Sequence, residues 1–443
     1  MASAAEQLAA NFNFGSFGKA TELRQRLLFT LGALIVARLG TYIPMPGIDP
    51  AGMKHLMDTQ AGGFLDVFNV LAGGAVSRMA IFSLGIMPYI SASIIIQLMT
   101  TVFPKLEELK KEGEAGRKII NQYTRYGTVG LAMVQAFGIA IGLEHAPGIV
   151  INPGLFFEIT AVITLTGGTI LLMWIGEQIT SRGVGNGISL IIFAGIVARF
   201  PQYIWQAFEA VRTNQIGVVT LIGGAAFIVA LILFIVFMER AQRRLLVQYP
   251  KRQVGNKMYG GESSHLPLKL NVAGVIPPIF ASSILIIPTT VATFNAASIP
   301  DWLQTVVAFI GRGQPAYMVL YALMIIFFSF FYTSIVFNPE ETAENLKKYG
   351  GFIPGIRPGK RTAEHIDYVL TRITVIGALY LTAVCLIPEF ATTYYQVPFY
   401  LGGTSILIVV SVTMDTVAQI QSHLIAQQYE GLIKKAKLRG SRR

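Results

Sequence analysis

The chain has 443 residues, of which 53% are hydrophobic and only 13% charged, with a mean hydropathy of +0.56 and a formal net charge of +11. Soluble globular chains carry about 25% charged residues, so this composition excludes a water-soluble fold. Cys385 is the only cysteine, which rules out a disulfide within the chain, and the five histidines show no metal-ligand spacing, so neither metal nor other cofactor is expected.

Residues 1–26 form a polar tail in which Lys19, Arg24 and Arg26 precede the first apolar run. No small-residue cleavage site follows that run, so the first segment is expected to stay as an anchor. Ten apolar segments follow in order: Leu27–Ile43, Ala80–Phe103, Gly127–Leu143, Leu155–Ile175, Ile188–Phe208, Ile216–Met238, Val272–Phe294, Ala316–Phe337, Ile373–Ile387 and Pro398–Met414. Ile216–Met238 has 23 residues without a charge, and about 20 apolar residues already cross a hydrocarbon core. A backbone in lipid must satisfy its own polar groups, and runs this long suit helices. The predicted fold class is all-α, a polytopic membrane protein of about ten transmembrane helices. Between the first two segments lies "GGFLDVFNVLAGG", Gly62–Gly74, too short to cross. Its flanking glycines allow either a re-entrant helix or an amphipathic helix on the outer surface.

Lys and Arg stay in cytoplasmic loops. Threading ten spans puts 29 of the 35 Lys and Arg on the side of the N-terminus, and only Lys54, Arg78, Arg212 and Arg312 opposite. Both termini are therefore predicted cytoplasmic, together with the loops 239–271 and 338–372 and the basic tail 421–443. Most of the positive surplus is explained by this retention, the remainder by anionic partners.

The motif G-x-x-P-x-I-x-A-S occurs as "GIMPYISAS" (Gly85–Ser93) and as "GVIPPIFAS" (Gly274–Ser282). Each falls in the second span of a five-span half, 27–208 and 216–420, joined by an external loop at 209–215. An odd number of spans per half makes the two copies run in opposite senses, the mark of an inverted-topology repeat with a pathway between the halves. The alternative is chance, since small residues, proline and isoleucine are common in membrane helices. Prolines inside apolar runs predict bends at Pro88 and Pro277. Ser91, Ser93, Ser282 and Ser283 then predict a slightly polar seam able to open.

Charges at mid-bilayer are expensive and usually functional. Here Arg38, Glu158, Arg199 and Asp415 all lie near segment ends, where snorkelling accounts for them. The candidate pathway instead carries Ile86 with Ile90 and Ile188 with Ile192, each pair at i, i+4 on one helix face, a spacing that by default marks lipid-facing or core isoleucines. A secondary transporter with an inverted repeat needs buried carboxylates or charged pairs for its coupling ion; an intramembrane enzyme needs a partnered nucleophile, and Ser405 has none in sequence. Neither set is visible. An apolar-walled pathway remains.

"GIMPYISASIIIQL", "YTRYG", "GEQITSRGVGNGISLIIFAGI", "HLPLKLNVAGVIPPIFASS", "FFYTSIVFNPEETAENLKKYGGFIPGIRPGKRTAEHI" and "VPFYLGGTSILIVV" resemble, in order and over nearly the whole chain, the bacterial SecY family of protein-conducting channels. The resemblance implies two halves closing like a clamshell around an hourglass pore, hinged at the 209–215 loop and braced by the small subunits SecE and SecG. It implies a pore ring of Ile86, Ile90, Ile188, Ile192, Ile279 and Ile408. It implies that Gly62–Gly74 is a re-entrant plug, with Phe64, Leu65, Phe68, Asn69 and Leu71 beneath the ring. A lateral gate between the second and seventh helices would carry Pro88, Ser91, Ser93, Asn186, Pro277, Ser282 and Ser283 and release signal and transmembrane segments into membrane lipids; Asn186 could equally be a helix cap. The loops would dock the SecA ATPase or a translating ribosome through Arg357, Lys360, Arg361, Arg243, Arg244, Lys251, Arg252 and Lys257. Preproteins and signal sequences would be the substrates, and the bacterial inner membrane the location. No G-x-x-x-x-G-K-[ST] loop is present, so energy is expected from a partner and the chain is not expected to be an enzyme.

Overall fold

A computed structural model describes residues 21–49, 51–53, 69–70, 72–144, 148–214, 216–249, 252–254, 257–259, 263–294, 314–395 and 402–440. Among them the chain is mostly helical, and each of the ten expected spans contains helix. The helices are α1 (Thr21–Gly40), α2 (Met87–Val102), α3 (Pro104–Lys111), α4 (Glu114–Glu144), α5 (Leu155–Arg182), α6 (Gly187–Val197), α7 (Phe200–Arg212), α8 (Val218–Arg240), α9 (Ile276–Phe294), α10 (Pro315–Val336), α11 (Pro339–Lys348), α12 (Lys360–Tyr395) and α13 (Gly403–Gly440). Seven helical stretches are long and apolar enough to cross a bilayer, or eight if the bent pair α2 and α3 is one span. α1 misses that measure because Glu22, Arg24, Arg26 and Arg38 lie within its 20 residues, and α9 is a 19-residue apolar helix.

The second span departs from expectation at its start. Residues 80–86 are turns, and helix begins only at Met87. Pro88 therefore sits in the first turn of α2, and Pro277 is the second residue of α9. A first-turn proline forfeits no intrahelical hydrogen bond, so the expected bends at Pro88 and Pro277 are absent. Gly85 and Gly274 instead have φ of +56° and +64°, a left-handed conformation that glycine adopts without strain. The repeated G-x-x-P is thus a helix entry, in which the glycine turns the chain and the proline presets the first turn. The sharp bend comes later, where α2 and α3 meet at 98° and Pro104 opens α3. The fifth span is also interrupted, at Ala198–Arg199, with a proline in the first turn of α7. Because α7 continues to Arg212, the connection between the halves is shorter than 209–215.

The helical fold carries one small β addition: the described residues of the 239–271 loop hold four strands, β1 (Gln242–Gln248), β2 (Arg252–Val254), β3 (Lys257–Tyr259) and β4 (Ser263–Lys269). β1 pairs antiparallel with β4 from Gln242↔Lys269 to Gln248↔Ser263, and β2 with β3. The signal was a period of two: Leu245 and Val247 are buried while Arg244, Leu246 and Gln248 between and beside them are exposed. Leu245 and Leu268 join Ile353, Ile366, Val369 and Ile373 in one buried cluster, which seats the ribbon on the start of α12.

The spans of the two halves have the same neighbours. In the first half α1 packs on α5 and α6, α2 on α4 and α5, α4 on α5, and α5 on α6. In the second, α8 packs on α12 and α13, α9 on α10 and α12, α10 on α12, and α12 on α13. Exchanging each span for the one five places later converts the first pattern into the second. The halves touch where α2 and α4 meet α9, and where α1 and α6 meet α13. Close approach is made by small residues, such as Ala132, Ala136 and Ala140 along one face of α4, all fully buried with Ala161 and Leu165 of α5.

A candidate apolar constriction

Four helices, two from each half, bring the predicted isoleucines together. Ile86 and Ile90 come from the entry of α2, Ile188 and Ile192 from α6, Ile279 from α9 and Ile408 from α13. Ile86, Ile192, Ile279 and Ile408 are buried in one cluster, and Ile90 and Ile188 pack against it. Five of the six line a cavity of about 10 Å³ together with Ala72, Gly85 and Met87. Ile188 does not line it, and its side chain lies over Gly176 of α5. A cavity must offer at least about 10–15 Å³ and two or more polar partners to hold one water. This one reaches only the lower bound, and its aliphatic walls offer a water no polar side chain to bond.

The seat of α6 is built from backbone and caps. Asn186 caps the helix, its Oδ1 accepting from the backbone N–H of Ile188 at 3.1 Å and of Ser189 at 3.5 Å. The preceding loop is held from three helices: the Val184 N–H donates to Thr30 Oγ1 of α1 at 3.1 Å, the Gly187 N–H to Thr180 Oγ1 of α5 at 2.9 Å, and the Gly185 N–H to Gln419 Oε1 of α13 at 2.9 Å. A Cβ on Gly187 would lie 2.0 Å from the Gly176 carbonyl oxygen. Gly187→Ala will therefore push α6 off α5, costing about 1–3 kcal/mol by overpacking. The check is a lower thermal unfolding midpoint in detergent than for Gly223→Ala, where an added Cβ meets nothing within 4 Å.

Of the predicted plug residues, Phe64, Leu65, Phe68 and Leu71 lie outside the described residues. Asn69 is buried, with its Oδ1 accepting from the Ser77 N–H at 3.0 Å, and Ala72 reaches the constriction. Arg38, read from sequence as snorkelling, instead donates from Nη1 to the Gly73 carbonyl.

The predicted gate serines are less polar than expected. Ser282 and Ser283 are buried, and their hydroxyls donate to the Ile279 carbonyl of their own helix at 2.9 and 2.7 Å. Ser91 and Ser93 are half-buried, and Gln97 reaches Ser93 Oγ at 3.5 Å. α2 and α9 do pack together, with Ile94, Phe280, Ala281 and Leu285 in a shared buried cluster that the serine pattern did not reveal.

The predicted docking residues gather on two adjoining elements. Arg243 and Arg244 are exposed on β1, Arg357 on the turn before α12, and Lys360 and Arg361 in its first turn. Gln248 and Phe352 exchange backbone hydrogen bonds of 2.9 and 3.0 Å, which ties the ribbon to the Arg357 loop. Arg252 and Lys257 lie on β2 and β3, and Lys251 lies outside the described residues.

The SecY family model matches residues 80–417. The chain belongs to the SecY family. It is 56% identical over 423 residues to the protein translocase subunit SecY of Escherichia coli strain K12, covering 95% of this chain and 96% of that one. Among solved structures it resembles one of a SecY protein whose plug domain stabilises the closed state of the translocation channel and maintains a membrane seal, with a TM-score of 0.65 at 17% identity over 90% of this chain and 92% of that one. It also resembles Sec61 in the canine ribosome–channel complex, with a TM-score of 0.60 at 16% identity over 90% and 92% of the two chains. The chain thus has the SecY channel fold and is a multi-pass membrane subunit of the Sec protein translocase, a transport protein rather than an enzyme. A SecY-type channel needs no catalytic group, and this explains why sequence reading for nucleophiles or coupled carboxylates found none.

Proposed function

We propose that the chain passes unfolded preproteins across the bacterial inner membrane through the isoleucine constriction, and releases signal and transmembrane segments into lipid between α2 and α9. The observation that carries this reading is the narrow aliphatic neck to which both halves contribute. Isoleucines offer no ligand to an ion, while their branched side chains can fit around a moving chain of any sequence. The matching neighbour patterns of the two halves support a clamshell of two inverted five-span units, 27–208 and 216–420, with both termini cytoplasmic. The 62–74 stretch acts as the plug. SecE and SecG are the small membrane partners, and SecA or a translating ribosome docks on the basic ribbon and the Arg357 loop.

Reconstitution with SecE in liposomes tests this. Preprotein uptake that requires added SecA and ATP is expected, with no concentrative uptake of small solutes; solute uptake without SecA would overturn it in favour of a secondary transporter. Bridging cysteines placed at Ser91 and Ser283 with a short thiol reagent is expected to stop preprotein transport. Undiminished transport by the bridged protein would reject the α2–α9 gate.

A further inference from the structure

We propose that Arg38 is a positioning residue that pins the Gly73–Gly74 turn beneath the constriction in the resting channel, so that opening requires its guanidinium to release the Gly73 carbonyl. This rests on reading 62–74 as the plug. The residues that make the contact are all described.

Arg38 lies in the last turn of α1. Besides the bond from Nη1 to the Gly73 carbonyl, Nη2 donates to the Tyr42 hydroxyl at 3.3 Å, and Cζ lies 5.2 Å from the centre of the Tyr42 ring. The guanidinium is thus aimed by the hydroxyl and the ring of one nearby residue, Tyr42. It lines a cavity of about 40 Å³ that shares Ala72, Gly85, Ile86 and Ile192 with the neck. A snorkelling arginine would place its head in the interface; this one is turned toward the pathway.

The turn it holds is preformed. The Gly73 N–H donates to the Val70 carbonyl at 3.1 Å and the Gly74 N–H to the Asn69 carbonyl at 2.7 Å. Gly73 has a φ of +67°, and a Cβ there would lie 3.0 Å from the Cα of Gly195, three residues past Ile192 on α6. The turn is therefore wedged between the guanidinium and the backbone of a ring helix. A charge-assisted hydrogen bond in such a place shifts an equilibrium by about ten- to a hundredfold, and it breaks without leaving a buried ion behind, because the guanidinium already faces a cavity able to admit water.

The test is resting ion conductance of the full complex in planar bilayers. Arg38→Met is expected to raise the resting open fraction at least about tenfold, and Arg38→Lys, which keeps a charged donor, to restore much of the seal. Asn69→Ala removes the side-chain acceptor that ties Ser77 back across the turn, without touching α1, and is expected to leak in the same direction. A deletion of residues 63–70 separates the two readings. If the deletion leaks and Arg38→Met adds nothing on top of it, the pin acts through this stretch. If the deletion leaks but Arg38→Met and Asn69→Ala alone are silent, the pin is overturned and the plug stands. If the deletion itself is silent, the plug reading falls, and the pin with it.

Discussion

Channels carrying Ile86→Ser, Ile90→Ser and Ile192→Ser together will conduct ions at rest, with a conductance at least about tenfold above the parent in planar bilayers. The neck of about 10 Å³ is walled by aliphatic side chains and backbone glycine. Removing the charge-stabilising water from an ion costs tens of kcal/mol in an idealised low-dielectric medium, far above thermal energy, so a dry neck blocks ions without a tight mechanical fit. Three serines change both quantities that set the barrier. Truncation opens room for several waters, and each hydroxyl supplies a donor and two acceptors to hold them. The control is Ile→Leu at the same positions, which conserves volume and apolarity and leaves the seal intact. A silent triple-serine channel, in protein that still assembles, would end the sealing role of this cluster.

Arg357→Glu will lower motor-driven preprotein export at least about tenfold, a loss of the size seen when an arginine anchor is removed from an interface. Arg357 is exposed on a turn bounded by Gly355 and Gly359, with φ of +80° and +104°. Its backbone is fixed by the Thr362 hydroxyl, which donates to the Arg357 carbonyl at 3.0 Å. A guanidinium held on a rigid turn is suited to bidentate contact with carboxylate or phosphate, and a glutamate there turns attraction into repulsion. Resting conductance, set at the neck, is expected to stay unchanged. Membrane insertion of segments that do not use the motor is also expected to stay normal. Normal motor-driven export would remove Arg357 from the docking surface.

Much of this protein was legible in its sequence because the bilayer leaves the chain few choices. Apolar length put helix within each of the ten places, since a backbone in hydrocarbon must bond to itself, though not where each helix begins or breaks. The set of six isoleucines followed from the resemblance, and the structure brings them together, four buried in one cluster and Ile90 and Ile188 packed against it. The repeated motif was visible, but its meaning was misread: Pro88 and Pro277 signal bends only if the helix has already begun, and where a helix begins depends on the left-handed glycine before it.

Sequence by itself determined the number of apolar spans, the sign asymmetry of the loops and the places where helices must lie. These are local consequences of transfer free energy and backbone satisfaction, and each can be summed over one stretch of chain. Only the tertiary structure decided what meets across stretches. It turned Arg38 inward onto Gly73, folded the serine hydroxyls of α9 back onto Ile279, paired Gln248 with Phe352, and left Ile188 on Gly176 rather than in the neck. Each of those outcomes depends on which acceptor or cavity lies within a few ångströms in space, and no window along the chain contains that distance.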